Sequence, residues 1–163
     1  MSRNSKEGIV LAMDCAKTMR DECRRGDRSV FEVSIQCLQN IVRQKIFAET
    51  KNEYLLMQFS ASDGVRVVPQ KGGLMCPPNF HLLRHLMSDL SDVTRVTSDP
   101  ISVMDALDEA IKQLVDYTRL KKLSDKKIAL LTNFGHFDDK DMHRFDTDIG
   151  ERLRQLGIKL IIM

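Results

Sequence analysis

The sequence has almost no excess of charge. Twenty-five Lys and Arg face 23 Asp and Glu, a formal charge of +2. Surfaces that grip nucleic acid are usually strongly basic, because each phosphate contact needs a cation. The balance argues against a chain whose whole surface binds DNA or RNA, though a local basic patch is compatible with it. Cysteine is also sparse. Cys15, Cys23, Cys37 and Cys76 show neither C-x-x-C spacing nor a dense framework, as expected of reduced thiols in an intracellular protein. Residues 1–7 are polar, lack the apolar core of a secretory signal and are expected to be flexible. The longest apolar runs, such as residues 158–163, are far too short to cross a bilayer, so no membrane partner is expected. No repeat, low-complexity tract or composition break divides the 163 residues, and one domain is expected over residues 8–163. The chain stops inside a strand-like apolar run, which suggests a domain excised from a longer protein.

What is present alternates between two periods. Residues 8–14 form a nearly continuous apolar run ending on Asp14, the pattern of a strand buried on both faces. After a polar loop, residues 29–47 carry Val33, Cys37, Leu38, Ile41, Val42 and Phe47 at helical spacing. Ser29 and Glu32 make a capping-box start. Residues 54–59 read as a second strand. Residues 65–68 read as a short third one, ended by Pro69 and Gly72-Gly73. Beyond Pro77-Pro78, Phe80, Leu83, Leu86, Met87 and Leu90 mark a helix. Pro100 precedes a longer helix over 102–120, with Met104, Leu107, Ile111, Leu114 and Val115 inward. Residues 127–133 are a buried strand, Asp138 caps a helix reaching Leu156, and Gly157 stops it. Residues 158–163 make the last strand. The fold class this predicts is α/β, a doubly wound, mostly parallel sheet flanked by helices, with room for an antiparallel edge strand.

In such a sheet, ligands bind beyond the carboxyl ends of the strands. Those ends carry Asp14, Ser60 and Asn133. Elsewhere, His81 and His85 lie one helical turn apart and could geometrically share zinc with Cys76. No Glu follows His81, however, and surface histidines on an amphipathic helix are the plainer reading. The acids Asp138, Asp139, Asp141, Asp146 and Asp148 lack the Gly and closing Glu of a calcium loop, and a helix N-terminus favours such acids on its own. Cys15 has no assignable base, and no nucleophile elbow, phosphate loop or dinucleotide fingerprint occurs. The basic pairs Arg24-Arg25, Lys121-Lys122 and Lys126-Lys127 read as solvated charge. No enzyme and no cofactor are expected.

The stretch from Asp14 to Thr18 resembles the metal-binding Asp-x-Ser-x-Ser motif of von Willebrand factor A domains. That resemblance implies a metal-ion site at the sheet's rim, completed by a loop Thr and a second Asp after the fourth strand. Here Asp14 matches and Thr18 keeps a hydroxyl. Ala16 has lost one, Asn133 stands where the second acid belongs, Thr97 is the candidate loop Thr, and Lys17 adds a cation. Magnesium takes about six oxygen ligands and favours carboxylates, so the site is expected to be vestigial.

Several blocks are similar to the N-terminal domain of the larger subunit of the Ku DNA-end-binding heterodimer: residues 9–19 (IVLAMDCAKTM), 43–53 (RQKIFAETKNE), 55–59, 78–83, 104–107 and 126–134. The 43–53 block is the most specific. This resemblance implies a nuclear, non-catalytic domain paired with the smaller Ku subunit. It would recruit end-joining factors that carry Ku-binding peptides, in double-strand break repair and telomere maintenance, while other domains encircle DNA ends. The family's peptide groove lies by the third helix, where Asp108 stands in place of an aliphatic residue and Ile111 stays apolar; core packing is the competing reading for Ile111. The alternative function is a docking scaffold of the proteasomal ubiquitin-receptor or transcription-factor type. A metal-dependent adhesion domain conflicts with the missing signal and incomplete ligand set. A small α/β enzyme would need a base near Cys15 or Asp14.

Overall fold

The computed structural model describes residues 6–21, 23–24, 28–61, 64–68, 70, 75–89 and 101–163. Arg25, Asp63, Pro69, Gly72, Gly73, Leu90, Thr97 and Pro100 lie outside the described residues, as do the side chains of Cys23 and Arg24.

The apolar run at the start becomes β1 (Glu7–Asp14), flanked on both sides by parallel partners, β4 (Glu53–Ala61) and β6 (Asp125–Leu131). A central strand between parallel neighbours, with helices on both faces, has no solvent side, which is why its sequence does not alternate. The sheet order is β5-β4-β1-β6-β7. Here β5 (Gly64–Val67) is the antiparallel edge and β7 (Ile158–Ile162) the parallel one. Lys6 and Glu7, expected from composition to be flexible, are held by the fold. Glu7 already belongs to β1, and the Lys6 carbonyl accepts the Ser124 N–H at 2.9 Å.

Helices cover both faces. On one side lie α1 (Lys17–Asp21), α2 (Val30–Phe47) and α3 (Phe80–Arg84), the last running into a π turn at His85–Asp89. On the other lie α4 (Val103–Leu120), α5 (Asp139–Arg144), a π segment at Phe145–Ile149 and α6 (Gly150–Gln155). The polar loop expected after Asp14 instead holds α1 and a two-residue hairpin, β2 (Cys23–Arg24) with β3 (Arg28–Ser29).

The helix starts follow their caps. Ser29 and Glu32 complete the capping box of α2, Ser102 accepts the Met104 N–H to start α4, and Asp138 and Asp141 form a second box on α5. Gly157, at φ 63°, ends α6 in the left-handed region that favours glycine. Inner faces are less faithful to the sequence. In α4, Met104, Leu107, Ile111 and Leu114 are buried as their spacing predicts. In α2 the buried stripe is Phe31, Ser34, Leu38 and Val42, leaving Val33 and Phe47 exposed. Phe31 is held inward under the Arg20 guanidinium, 4.2 Å from its ring centre, and that sets the helix rotation. In α3, Leu82, Leu83 and Leu86 are buried, while Phe80 at the first position of the helix and Met87 within the π turn face solvent.

Candidate functional site

The carboxyl ends of β1, β4 and β6 meet α1 and the loop after β6 at one rim. Asp14, the last residue of β1, is only 4% exposed. Its Oδ1 accepts the Ala16 N–H at 2.9 Å and its Oδ2 accepts the Thr132 hydroxyl at 2.7 Å. Burial pushes the Asp14 carboxyl above its ordinary range. The bonds from Ala16 and Thr132, the charge of His136 and a bond with Ser60 oppose that rise. Thr132 in turn accepts the Phe134 N–H at 3.1 Å.

Thr18, on α1, directs its hydroxyl at Asn133 Oδ1 across 3.5 Å, and the same oxygen accepts the Gly135 N–H at 3.1 Å. The loop lies directly on α1. A Cβ on Gly135 would sit 2.8 Å from Thr18 Oγ1 and 2.9 Å from its Cβ, closer than real Cβ atoms approach. Phe134 holds φ at 55° to make this turn. At the end of β4, Ser60 adopts φ 58°, and its hydroxyl bridges the Ile101 backbone at 3.2 and 3.3 Å. A serine in the left-handed region is strained, and this bridge to the entry of α4 holds it there.

The structure thus brings together Asp14, Thr18, Ser60 and Asn133, and it adds Thr132, Gly135 and His136. Thr97 lies outside the described residues. Sequence reasoning passed over Thr132 because it looked like one more strand residue. Its signal was position, the first residue past β6 and level with the end of β1. The metal-ion site that a von Willebrand A rim implies does not fit these residues. Each Asp14 oxygen already accepts a protein donor, Ala16 offers no hydroxyl, and Asn133 is neutral with its oxygen directed to Thr18 and Gly135. Among the described residues no group of three or more His, Cys, Asp or Glu is placed to hold a metal ion.

The remaining candidates resolve individually. His81 is exposed while His85 is buried. The Cys76 thiol donates to Gln70 Oε1 at 3.0 Å and accepts from Asn79, and its backbone bridges to Tyr54. Asp141 is buried, accepts from the Ser102 hydroxyl and closes its capping box. Asp148 lies 3.7 Å from Arg152. Cys15 is fully buried and its thiol is pushed up to about 12 by burial and by Asp14, so it is not a nucleophile near neutral pH. Lys121 and Lys127 pair with Glu53 and Glu7 at 3.3 and 2.7 Å. Asp108 pairs with Arg152 on the surface, whereas Ile111 is 1% exposed within the core. A peptide beside α4 would meet Asp108 and not the Ile111 side chain. Among the described residues no helix is long and apolar enough to cross a membrane.

At the opposite, amino end of the sheet, Glu53 is 1% exposed and gathers Lys6, Lys121 and Tyr117. The sequence had flagged none of these as a cluster, because they come from three separate parts of the chain: the entry to β1, the start of β4 and the end of α4.

No family model matches the chain, and no curated protein matches it by sequence. Solved structures do, 105 chains in all. The crystal structure of the SpRpn10 VWA domain superposes with a TM-score of 0.65 at 18% identity, covering 97% of this chain and 74% of that one. The conserved hypothetical protein BatB from Bacteroides thetaiotaomicron gives a TM-score of 0.67 at 11% identity, with 95% of this chain and 64% of that one covered. At these identities the likeness is one of fold, and the fold is von Willebrand factor A-like.

Proposed function

We propose that this von Willebrand A-like fold serves as a non-catalytic protein-docking domain whose rim works without a cation. The observation that carries this reading is the internally satisfied Asp14, with one oxygen on Ala16 and the other on Thr132. Beside it, Ala16 offers no hydroxyl and Asn133 is a neutral amide, so the rim lacks the set of oxygen ligands that magnesium takes. Docking must then use other surfaces of the fold.

The finer reading is a Ku-type subunit domain in the nucleus. It would pair with the smaller Ku subunit through the full-length protein and recruit end-joining factors that carry short Ku-binding peptides, in double-strand break repair and at telomeres. Its support is the block at residues 43–53 and the nearly neutral surface, which suits a recruiting domain more than a DNA clamp. DNA ends would be held by other domains. A second reading, a docking scaffold of the proteasomal ubiquitin-receptor type, draws on the likeness to the SpRpn10 VWA domain. Affinity purification of the full-length protein from nuclear extract separates them. Co-purification of the smaller Ku subunit and end-joining factors supports the first. Co-purification of proteasome subunits without Ku refutes it and supports the second.

A further inference from the structure

The near balance of charge over the whole chain conceals a local excess at the amino end of the sheet. A helix that returns the chain between parallel strands ends where the next strand begins. The end of α2 and its turn into β4 thus bring Lys45 and Lys51 to that end, and the turn from α4 into β6 brings Lys121, Lys122 and Lys126. The acids there are largely matched. Glu53 takes Lys6 and Lys121, Glu7 takes Lys127, and Asp116 and Asp125 lie against Arg119 and Lys159. Among the described residues Lys45, Lys51, Lys122 and Lys126 make no ion pair, and the first three are exposed. Two apolar side chains stand out beside them. Leu120 and Phe47 are 82% and 75% exposed, the highest values among the described large apolar residues.

The bonds that match the acids also fix the surface. Tyr117 and Lys121 both reach Glu53 from the end of α4. Asn52 donates to Glu7 Oε2 at 3.0 Å and accepts the Glu7 N–H at 3.1 Å, and the Ser124 N–H donates to the Lys6 carbonyl. The turns after α2 and α4 are thereby held side by side as one platform. β1, β4 and β6, on which it stands, each have strands on both sides, so it owes nothing to an open sheet edge.

We propose that this platform docks an acidic segment of a partner protein, whose apolar residues cover Phe47 and Leu120 and whose carboxylates meet Lys51 and Lys122. Unpaired lysines attract and orient an anionic partner, and covering two side chains that stand in water supplies affinity. A uniformly charged partner fits less well. Glu49 is exposed between Phe47 and Lys51 in the chain, and Asp116 and Asp125 are about half exposed at the same end. A duplex backbone or a lipid headgroup layer meets these acids as well as the lysines, whereas a segment of mixed sequence sets its acids on the lysines alone. The inference rests on the docking reading above and names its surface, at the opposite end of the sheet from Asp14.

The test is a nuclear-magnetic-resonance titration of the chain with an acetylated, amidated Asp-Glu-Leu-Asp-Phe-Glu-Glu peptide. Its control has every acid replaced by the matching amide. Expected are amide shifts over residues 45–53 and 117–127 and a dissociation constant on the order of 100 µM, loosening about fivefold between low salt and about 0.3 M. Lys51→Glu with Lys122→Glu should weaken binding at least about tenfold, and Phe47→Ser with Leu120→Ser about fivefold. All four side chains are exposed, so thermal midpoints should stay near the parent's. Lys112→Glu with Lys140→Glu, the same change of net charge elsewhere, should leave binding within about twofold. No shifts in these turns at millimolar peptide, equal binding by the amide control, or an equal loss in the Lys112 and Lys140 variant would overturn the proposal. So would tighter binding to a short DNA duplex or to phosphatidylserine vesicles, or contacts from residues 1–5 to Phe47 or Leu120 in the free chain. Failure here, with partners still recovered from extract by the full-length protein, strikes the platform and leaves the docking reading standing; recovery of no partner strikes the docking reading itself.

Discussion

Two buried carboxyls at opposite ends of one sheet show how surroundings shift the same chemical group in opposite directions. Burial raises the Asp14 carboxyl against the bonds it receives. Burial would also raise Glu53, but bonds from Lys6, Tyr117 and Lys121 outweigh it and hold that carboxyl below its ordinary range. The signs of the linkage follow. A carboxyl raised on folding favours the folded state most when protonated, below its ordinary value of 3.8, and that contribution fades as pH rises through the raised value. A lowered one stabilises above its ordinary value of 4.5 and loses that stabilisation as pH falls through the depressed value. The parent's advantage over Asp14→Asn in urea unfolding should therefore shrink as pH rises from the acid range, whereas its advantage over Glu53→Gln should grow. Near neutral pH, Glu53→Gln should cost about 2–3 kcal/mol by the same assay, since it leaves the Tyr117 and lysine donors around a neutral amide. Thr132→Val, which withdraws one donor from a buried carboxylate, should cost about 1–3 kcal/mol. A Thr132→Val midpoint equal to the parent's would mean the hydroxyl is not what satisfies Asp14.

At the scale of elements, much was legible because it is local. A capping box is a four-residue signal, and the start of α2 and the stop at Gly157 lie where such local signals put them. Ser29→Ala should lower stability by about 1 kcal/mol, measurable as a shift in the thermal midpoint. The buried faces were less legible. Val33 and Phe47 have the right spacing for α2's inner stripe, yet the helix turns so that Phe31 and Leu38 go in. That choice belongs to tertiary packing, in which Arg20 lies over Phe31. The rim was half legible. Asp14, Ser60 and Asn133 follow from reading strand ends, but Thr132 and Gly135 acquire meaning only once the β6 loop is seen to lie on Thr18. Gly135→Ala tests that closeness. Its methyl would meet Thr18 at under 3 Å, so the loop must lift, and hydrogen exchange at Phe134 and Gly135 should accelerate. Unchanged exchange would place the loop farther from α1 than described here.

The described residues build one five-stranded sheet between two apolar layers, beside a small β2–β3 ribbon, and the chemistry is sorted by the ends of the main sheet. The amino end carries an ion-pair cluster that ties the entry to β1, the start of β4 and the end of α4 together. The carboxyl rim carries a hydrogen-bond network where the fold would otherwise present a cation. The unifying claim is that the rim is self-sufficient without a cation. The most direct test is paramagnetic broadening of the chain's amide resonances by manganese. The account predicts no site-specific broadening at residues 14–18 and 132–136 at millimolar ion. Selective broadening of those amides, abolished by Asp14→Asn, would contradict it.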